Sequence, residues 1–117
     1  MALRTATADD WRELVPSDAD QPEFWIGLVY VEGDRKLGIG VLHEGEDGRW
    51  WIGVRTRARR PIALWKGALE LLGTAKRAGV TVHAIADPDV GGSEIVLSRL
   101  GFVMSSETIV GHPIWTQ

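Results

Sequence analysis

Apolar residues fall into three runs with strand-like spacing in the first half of the chain. The first run is almost wholly apolar, which is typical of a strand covered on both faces. In the second run Leu37, Ile39 and Val41 share one face, while Gly38 and Gly40 share the other and indicate close approach of another group. The runs cover residues 24–31, 36–42 and 50–57, with turn signals at 32–35 and 46–48. The sequence therefore predicts an antiparallel three-stranded meander.

Apolar spacing of three and four residues predicts a short helix over residues 8–14 and a long helix that begins at Pro61. Gly79 is expected to end the long helix in the left-handed conformation. Its predicted sheet-facing stripe consists of Ile62, Trp65, Leu69 and Leu72.

A third helix is predicted over residues 93–99, with Ser93 as its cap and with Val96 and Leu100 facing inward. Gly101 is expected to end it, and Phe102 to fold back on it. Further strands are predicted at 2–6, 80–86, 102–105 and 109–115, and a surface loop at 16–22. Pro113 predicts that the last strand lies at an edge or that its pairing ends there.

Composition limits the possible functions. The 117 residues fit one domain, with 44% hydrophobic and 25% charged residues, as in an ordinary globular protein. The net charge of −3 gives no overall attraction to nucleic acid or anionic lipid. No cysteine is present, which excludes disulfides, thiolate metal sites and a cysteine nucleophile. The first residues lack the apolar stretch of a signal peptide, so a cytoplasmic location is expected.

The order of predicted elements is similar to that of the GNAT acetyltransferase superfamily. Residues 4–11, Arg-Thr-Ala-Thr-Ala-Asp-Asp-Trp, resemble the opening R-x-A-T-x-x-D step of that family, and Leu100-Gly101-Phe102 resembles its L-G-F signature. The resemblance implies a single GNAT-like α/β domain over residues 1–117, with a mixed α+β sheet. It also makes acetyl-CoA a possible cofactor.

A narrower resemblance links the chain to small GNAT-like proteins of tailed phages. It is carried by Trp50-Trp51-Ile52-Gly53 before the long helix, and by the closing helix with its Leu-Gly-Phe. Some of those proteins are associated with the virion or its assembly. The resemblance implies a location in the host cytoplasm or in a virion, and protein contacts or self-association as the mode of action.

The loop that binds CoA in this family follows the pattern (R/Q)-x-x-G-x-(G/A). With Arg59 in the leading place, the two small positions fall on Ile62 and Leu64, and Pro61 has no N–H to donate. A cluster of arginines remains beside the helix start, namely Arg55, Arg57, Arg59 and Arg60. If CoA binding is retained, the candidate residues are Val54, Arg55, Arg59 and Arg60. The alternatives are a solvated strand end and a nucleic-acid contact, of which the second is disfavoured.

The expected acid and base of a family enzyme have no counterpart at the matching positions. No carboxylate lies between Trp50 and Val54, and Leu97 occupies the place of the usual tyrosine acid. Glu44, Glu46 and Asp47 fall in or beside a turn, and Tyr30 is expected to pack in its strand. An asparagine common in the family would fall at about Val90. No catalytic residue is therefore assigned.

The histidines and the later acidic residues are candidate binding groups. His43, His83 and His112 lack metal-ligand spacing, so no metal is predicted. His83 is expected to be half-buried and satisfied by a neighbour. Asp87 and Asp89 flank Pro88, which fits either a site for a cationic acceptor or a turn.

Six tryptophans are present, and exposed tryptophan is enriched at binding hot spots. Adjacent Trp50 and Trp51 must point to opposite faces of their strand. The candidate partner interface comprises Trp25, Trp50, Trp51 and Trp115. The leading hypothesis is a non-catalytic GNAT-fold protein of phage type that acts through protein contacts. The alternative is a divergent acetyl-CoA-dependent N-acetyltransferase of a small amine or protein amine.

Overall fold

The computed structural model describes residues 2–15, 21–56, 62–86 and 92–117. Seven strands and three helices lie in this part of the chain. The strands are β1 (Ala2–Thr5), β2 (Trp25–Glu32), β3 (Arg35–Glu44), β4 (Trp50–Thr56), β5 (Val82–Ile85), β6 (Val103–Ile109) and β7 (His112–Thr116). The helices are α1 (Ala8–Leu14), α2 (Ile62–Arg77) and α3 (Ser93–Arg99).

The strands form one sheet in the order β1-β2-β3-β4-β5-β7-β6. All neighbours are antiparallel except β4 and β5, which α2 connects as a parallel pair. This arrangement confirms the predicted mixed sheet and the meander. The strand predicted at 102–105 extends further, as β6.

A buried carboxylate fixes the start of α1. Thr7 is the N-cap, and its backbone N–H donates to Asp10 Oδ2 at 2.8 Å in a capping box. Asp10 is 1% exposed and accepts bonds of 2.7 and 2.9 Å from Arg4, while Lys36 Nζ lies 2.7 Å away. Arg4 and then Lys36 hold the pKa of Asp10 far below its usual value, against the opposing effect of burial. The cluster ties β1, α1 and β3 together.

The two faces of the sheet carry separate apolar cores. On one face Trp11 of α1 covers Val29, Ile39 and Val41, with the Trp25 ring 5.2 Å from the Trp11 ring. On the other face α2 and α3 cover a larger core that includes Val82, Ala84 and Trp115. The sheet is therefore the middle layer of the domain.

The stripe predicted for α2 is partly wrong. Leu69 is 47% exposed, and the buried face consists of Ala68, Leu71, Leu72 and Ala75, with Trp65 packed partly buried against it. The alanines let the helix lie close to the sheet, and a Cβ added at Gly40 would stand 3.2 Å from Leu71 Cδ1. The close approach predicted at the strand glycines is thus confirmed at Gly40. A periodic count of large residues misses such a face because small residues form it.

Two glycines end the helices as predicted. Gly79 (φ 72°) and Gly101 (φ 92°) are left-handed, and in each case the next residue donates its N–H back into the helix. Val80 bonds to Ala75 O at 2.9 Å and Phe102 to Leu97 O at 3.0 Å, which is the Schellman arrangement. Phe102 is 3% exposed and packs in the core, so its predicted fold-back is confirmed.

The start and inner face of α3 differ from the prediction. The N-cap is Gly92 in the left-handed conformation, without a side-chain cap, and Ser93 is already helical. Leu97 and Leu100 are buried, whereas Val96 is 39% exposed. Leu100 therefore faces inward as predicted, and Leu97 rather than Val96 is the second buried residue of the helix.

The final hairpin turns at Val110 and Gly111, both with positive φ, as a two-residue hairpin requires. β7 lies between β5 and β6, so the edge position that Pro113 predicted is wrong. The alternative prediction, that strand pairing ends at Pro113, is confirmed on the β5 side, because β7 pairs with β5 only from Ile114 to Thr116. β6 is the outermost strand at this end of the sheet, opposite β1, and its pairing with β7 is irregular between Met104 and Thr108.

Candidate functional site

The parallel strands β4 and β5 diverge after a short contact. They pair only at Trp50 with Val82 and at Trp51 with His83. Beyond this point β4 continues to Thr56, while β5 pairs with β7. In the described ranges, no strand lies against the β5 side of Ile52–Val54, which we call the open edge. A strand edge of this kind offers backbone N–H and C=O groups to a ligand.

The open edge is accessible. Gly53 and Val54 are exposed, and a Cβ added at Gly53 would meet no atom within 4 Å. Of the candidate CoA residues, Val54 lies on the open edge and Arg55 follows it, exposed, on β4. Arg59 and Arg60 lie outside the described residues, as do Arg57 and Pro61. The CoA contacts of these residues therefore remain predictions.

A shallow depression of about 540 Å³ lies on the sheet beside the start of the split. Its walls are mainly apolar, and carboxylates stand at its turn side. The lining residues are His43, Gly45, Glu46, Asp47, Trp51, Ile52, Ile85 and Ile109. Since Trp51 belongs to the last β4–β5 pair and Ile85 lies beyond it on β5, the depression adjoins the split.

Strand register explains the position of the depression. His43, Trp51 and His83 are paired across β3, β4 and β5, so their side chains project from the same face of the sheet. Two residues earlier on β3, Val41 lies on that face in the core under Trp11 of α1. The row of His43, Trp51 and His83 thus continues the α1 face of the sheet towards β5.

Arg49 borders the depression, because it contacts Asp47 and Trp51, which line it; we call this border the rim. Its guanidinium bonds to both carboxylate oxygens of Glu107 on β6, at 3.0 and 2.8 Å, and its Nε donates to Asp47 at 2.6 Å. The same guanidinium stands 5.6 Å from the centre of the Trp51 ring. Glu107 and then Asp47 raise the pKa of Arg49, and the Arg49 backbone and side chain lower that of Asp47.

Sequence reasoning missed this link between the turn and β6. Glu46 and Asp47 were assigned only to a turn, and Arg49 and Glu107 are 58 residues apart. No local spacing signals such a pair. The two residues meet because β6, which carries Glu107, lies near the β3–β4 turn in the folded sheet.

Two histidines flank Trp51. His43 lines the depression and is half-buried, and burial lowers its pKa, partly offset by a hydrogen bond with the Glu44 backbone. His83 Nδ1 lies 3.0 Å from Thr116 Oγ1, and its ring centre lies 5.5 Å from that of Trp51. The half-buried His83 satisfied by a neighbour is as predicted, whereas the place of His43 in the depression was not foreseen.

The positions tested for acid and base chemistry are remote from the depression or engaged elsewhere. Leu97 is 9% exposed and packs in the α2–α3 core, and Tyr30 is 7% exposed. Glu44 pairs in register with Trp50, on the opposite face from Trp51. Asp87, Asp89 and Val90 lie outside the described residues.

The four tryptophans of the candidate partner interface have different environments. Trp115 is 9% exposed and belongs to the core, and Trp50 packs partly buried against that core. Trp25 packs against Trp11, and Trp51 lines the depression, so Trp50 and Trp51 do point to opposite faces. Each of the four tryptophans is buried or half-buried, and their role in binding a partner remains a prediction.

Within the described ranges, no group of three or more His, Asp or Glu side chains is placed to hold a metal ion. In the same ranges, no helix is both long and apolar enough to cross a membrane.

Comparison with solved structures identifies the architecture. The chain is similar to a Bacillus subtilis acetyltransferase solved in complex with CoA, at 16% identity and a TM-score of 0.68, over 98% of this chain and 96% of that chain. An N-acetyltransferase from Staphylococcus aureus Mu50 gives 12% identity and a TM-score of 0.69, over 98% and 94% of the two chains. The GNAT domain of S. lividans PAT gives 15% identity and a TM-score of 0.65, over 96% and 69%.

No family model matches the sequence, and no curated protein matches it either. The structural likeness therefore shows the fold. The chain has the GNAT acetyltransferase fold, as the order of its elements predicted.

Proposed function

We propose that this protein is an acyl-CoA-dependent N-acyltransferase that binds CoA at the open edge and an acceptor amine in the adjoining depression. The proposal is carried by one observation. β4 and β5 pair at two positions only and then part, which leaves Ile52–Val54 accessible beside a partly apolar depression.

The open edge suits the pantetheine arm of CoA, which contains two amide groups. Those amides can exchange hydrogen bonds with a strand edge as an added strand does. Gly53 brings no side chain between the ligand and the backbone. Arg55, together with Arg59 and Arg60, supplies positive charge for the phosphates. When bound, acetyl-CoA supplies an activated acyl group as a thioester.

The depression suits the acceptor. Trp51, Ile85 and Ile109 offer apolar contact, and Glu46 and Asp47 stand on its turn side. With Glu107 at the rim, carboxylates outnumber the single guanidinium of Arg49 there, which favours approach of an ammonium group. Holding the amine beside the split supplies rate through positioning, even where a usual acid or base is missing.

Calorimetric titration with acetyl-CoA tests the proposal. We expect micromolar binding that is lost in an Arg59→Ala, Arg60→Ala double variant. The matched control is Lys76→Ala, Arg77→Ala, which removes the same charge from exposed positions at the opposite end of α2. No binding at millimolar acetyl-CoA by the folded wild-type protein would reject the enzyme proposal.

The second candidate is a non-catalytic interaction protein. It is favoured by Leu97 in the core where a tyrosine acid was expected, and by two exposed apolar residues on the outermost strand, Val103 (70%) and Met104 (55%). Its phage or virion association rests on the sequence resemblance alone. Sedimentation analysis of wild type and a Val103→Glu, Met104→Glu variant tests it. A dimer or larger species abolished by the change supports self-association, and a monomer in both leaves that form of the candidate without support.

A further inference from the structure

We infer that His43 accepts the proton that the ammonium group of the acceptor must lose before acyl transfer. The inference rests on the proposed function and adds a named group to it. In the part of the chain that the structure describes, three titratable side chains line the depression, namely His43, Glu46 and Asp47, and the depression adjoins the split between β4 and β5.

The two carboxylates are poorly suited to the task. The carboxylate of Asp47 accepts hydrogen bonds from the backbone N–H of Arg49 at 3.0 Å and from its Nε at 2.6 Å, and these bonds lower the pKa of Asp47. A carboxylate held in its charged form in this way is a weak base. Glu46 is exposed in the turn, where water solvates it, rather than on the strand face that forms the floor.

His43 has the properties that the other two lack. It is half-buried on β3, on the same face as Trp51, and burial lowers its pKa, so the imidazole is neutral at neutral pH. The hydrogen bond with the Glu44 backbone has the opposite effect on the pKa of His43. A neutral imidazole has one ring nitrogen with a free lone pair, which can accept a proton.

The step moves one proton and no electrons. The imidazole nitrogen of His43 takes a proton from the ammonium group, which gives imidazolium and a neutral amine with its lone pair available. The imidazolium returns the proton to solvent through the open side of the depression. Among the described residues, the charged groups in and beside the depression are Glu46, Asp47, Arg49 and Glu107, and His83 lies across Trp51.

The test compares His43→Gln with His83→Gln. His83 is the matched control because it lies on the other side of Trp51 and is engaged with Thr116. Nitrogen NMR of the imidazoles gives the pKa of each histidine. Thiol release from acetyl-CoA is followed from pH 5 to 9 with a panel of primary amines, and acetyl-CoA binding is measured by calorimetry on the same samples.

We expect the pKa of His43 to lie below 6.5, and the wild-type rate to rise with pH through that same value. His43→Gln should lower the rate of thiol release by about 10²-fold and abolish the rise of this rate with pH. Its acetyl-CoA binding should be unchanged. Added imidazole should restore part of the rate in a His43→Ala variant, which guards against a merely structural effect. In His83→Gln the rate of thiol release should still rise with pH as it does in the wild type.

Three results would overturn the inference. The first is a His43→Gln variant with the wild-type rate and pH profile. The second is a rise of the wild-type rate with pH that does not coincide with the pKa of His43. The third is a wild-type protein that releases no thiol with any amine. Retained acetyl-CoA binding in the third case separates failure of the His43 inference from failure of CoA binding.

Discussion

Arg49 and Glu107 form a two-bond ion pair across 58 residues of sequence, with N–O distances of 3.0 and 2.8 Å. The pair connects the turn between β3 and β4 to β6. Because the Arg49 guanidinium also lies over the Trp51 ring, the pair sets the rim of the depression. The proposed acceptor site is therefore shaped by a contact between segments that are distant in sequence.

Removing this pair should alter the depression more than the stability of the domain. In Arg49→Ala we expect the indole N–H resonance of Trp51 to shift and its exchange with water to speed up. The denaturation midpoint should change little, because solvent-exposed ion pairs contribute little. Arg12→Ala, which removes an exposed pair with Asp9 on α1, is the control and should leave the Trp51 resonance in place. An unchanged Trp51 resonance in Arg49→Ala would contradict the role of the rim.

The buried carboxylate of Asp10 should be among the costliest single positions in the fold. Asp10→Asn keeps the shape but removes the charge that Arg4 and Lys36 share. We expect a loss of about 2–3 kcal/mol in the free energy of unfolding, measured by urea denaturation. Asp9→Asn, one residue earlier and exposed, should cost less than about 0.5 kcal/mol. Equal losses in the two variants would rule out this account of the cluster.

The same carboxylate predicts the acid limb of stability. The folded pKa of Asp10 is depressed, so its contribution is complete above the unfolded value of 3.8 and is lost as the pH falls further. Wild-type stability should therefore decline steeply from about pH 4 to pH 2. Urea midpoints over this range should fall less in Asp10→Asn. Parallel curves for the two proteins would show that other groups carry the acid transition.

Two strand glycines should respond oppositely to a larger side chain. Gly40→Val brings its side chain against Leu71 in the α2 core and should cost about 1–3 kcal/mol through overcrowding. Gly53→Val meets open space, so the fold should tolerate it, while acetyl-CoA binding should weaken at least tenfold. Thermal melts and calorimetry on both variants check this. Gly53→Ala serves as the small control, and full binding by Gly53→Val would argue against the open edge as the CoA site.

Restoring the tyrosine of the family should not restore chemistry. Leu97 is 9% exposed in the α2–α3 core, so Leu97→Tyr buries a hydroxyl without a built partner and enlarges a packed side chain. We expect a loss of about 1–3 kcal/mol and no gain in thiol release. A stable variant with a raised rate would show that the side chain reaches the depression.

The sequence alone determined the elements of this protein and their order. Glycines that accept positive φ, such as Gly79 and Gly101, act locally, so they can be identified without a fold. The opposite faces of Trp50 and Trp51 follow from strand geometry alone.

Tertiary structure decided which faces are buried and where chemistry is possible. The packing of α2 on the sheet, with Leu71 over Gly40, decides that Ala68 and Ala75 are buried while Leu69 is exposed. The split after Trp51 and His83, and the Arg49–Glu107 pair at the rim, depend on which strands lie side by side. His43 became a candidate base because non-local strand register placed it beside Trp51, and no spacing along the chain encodes that neighbour.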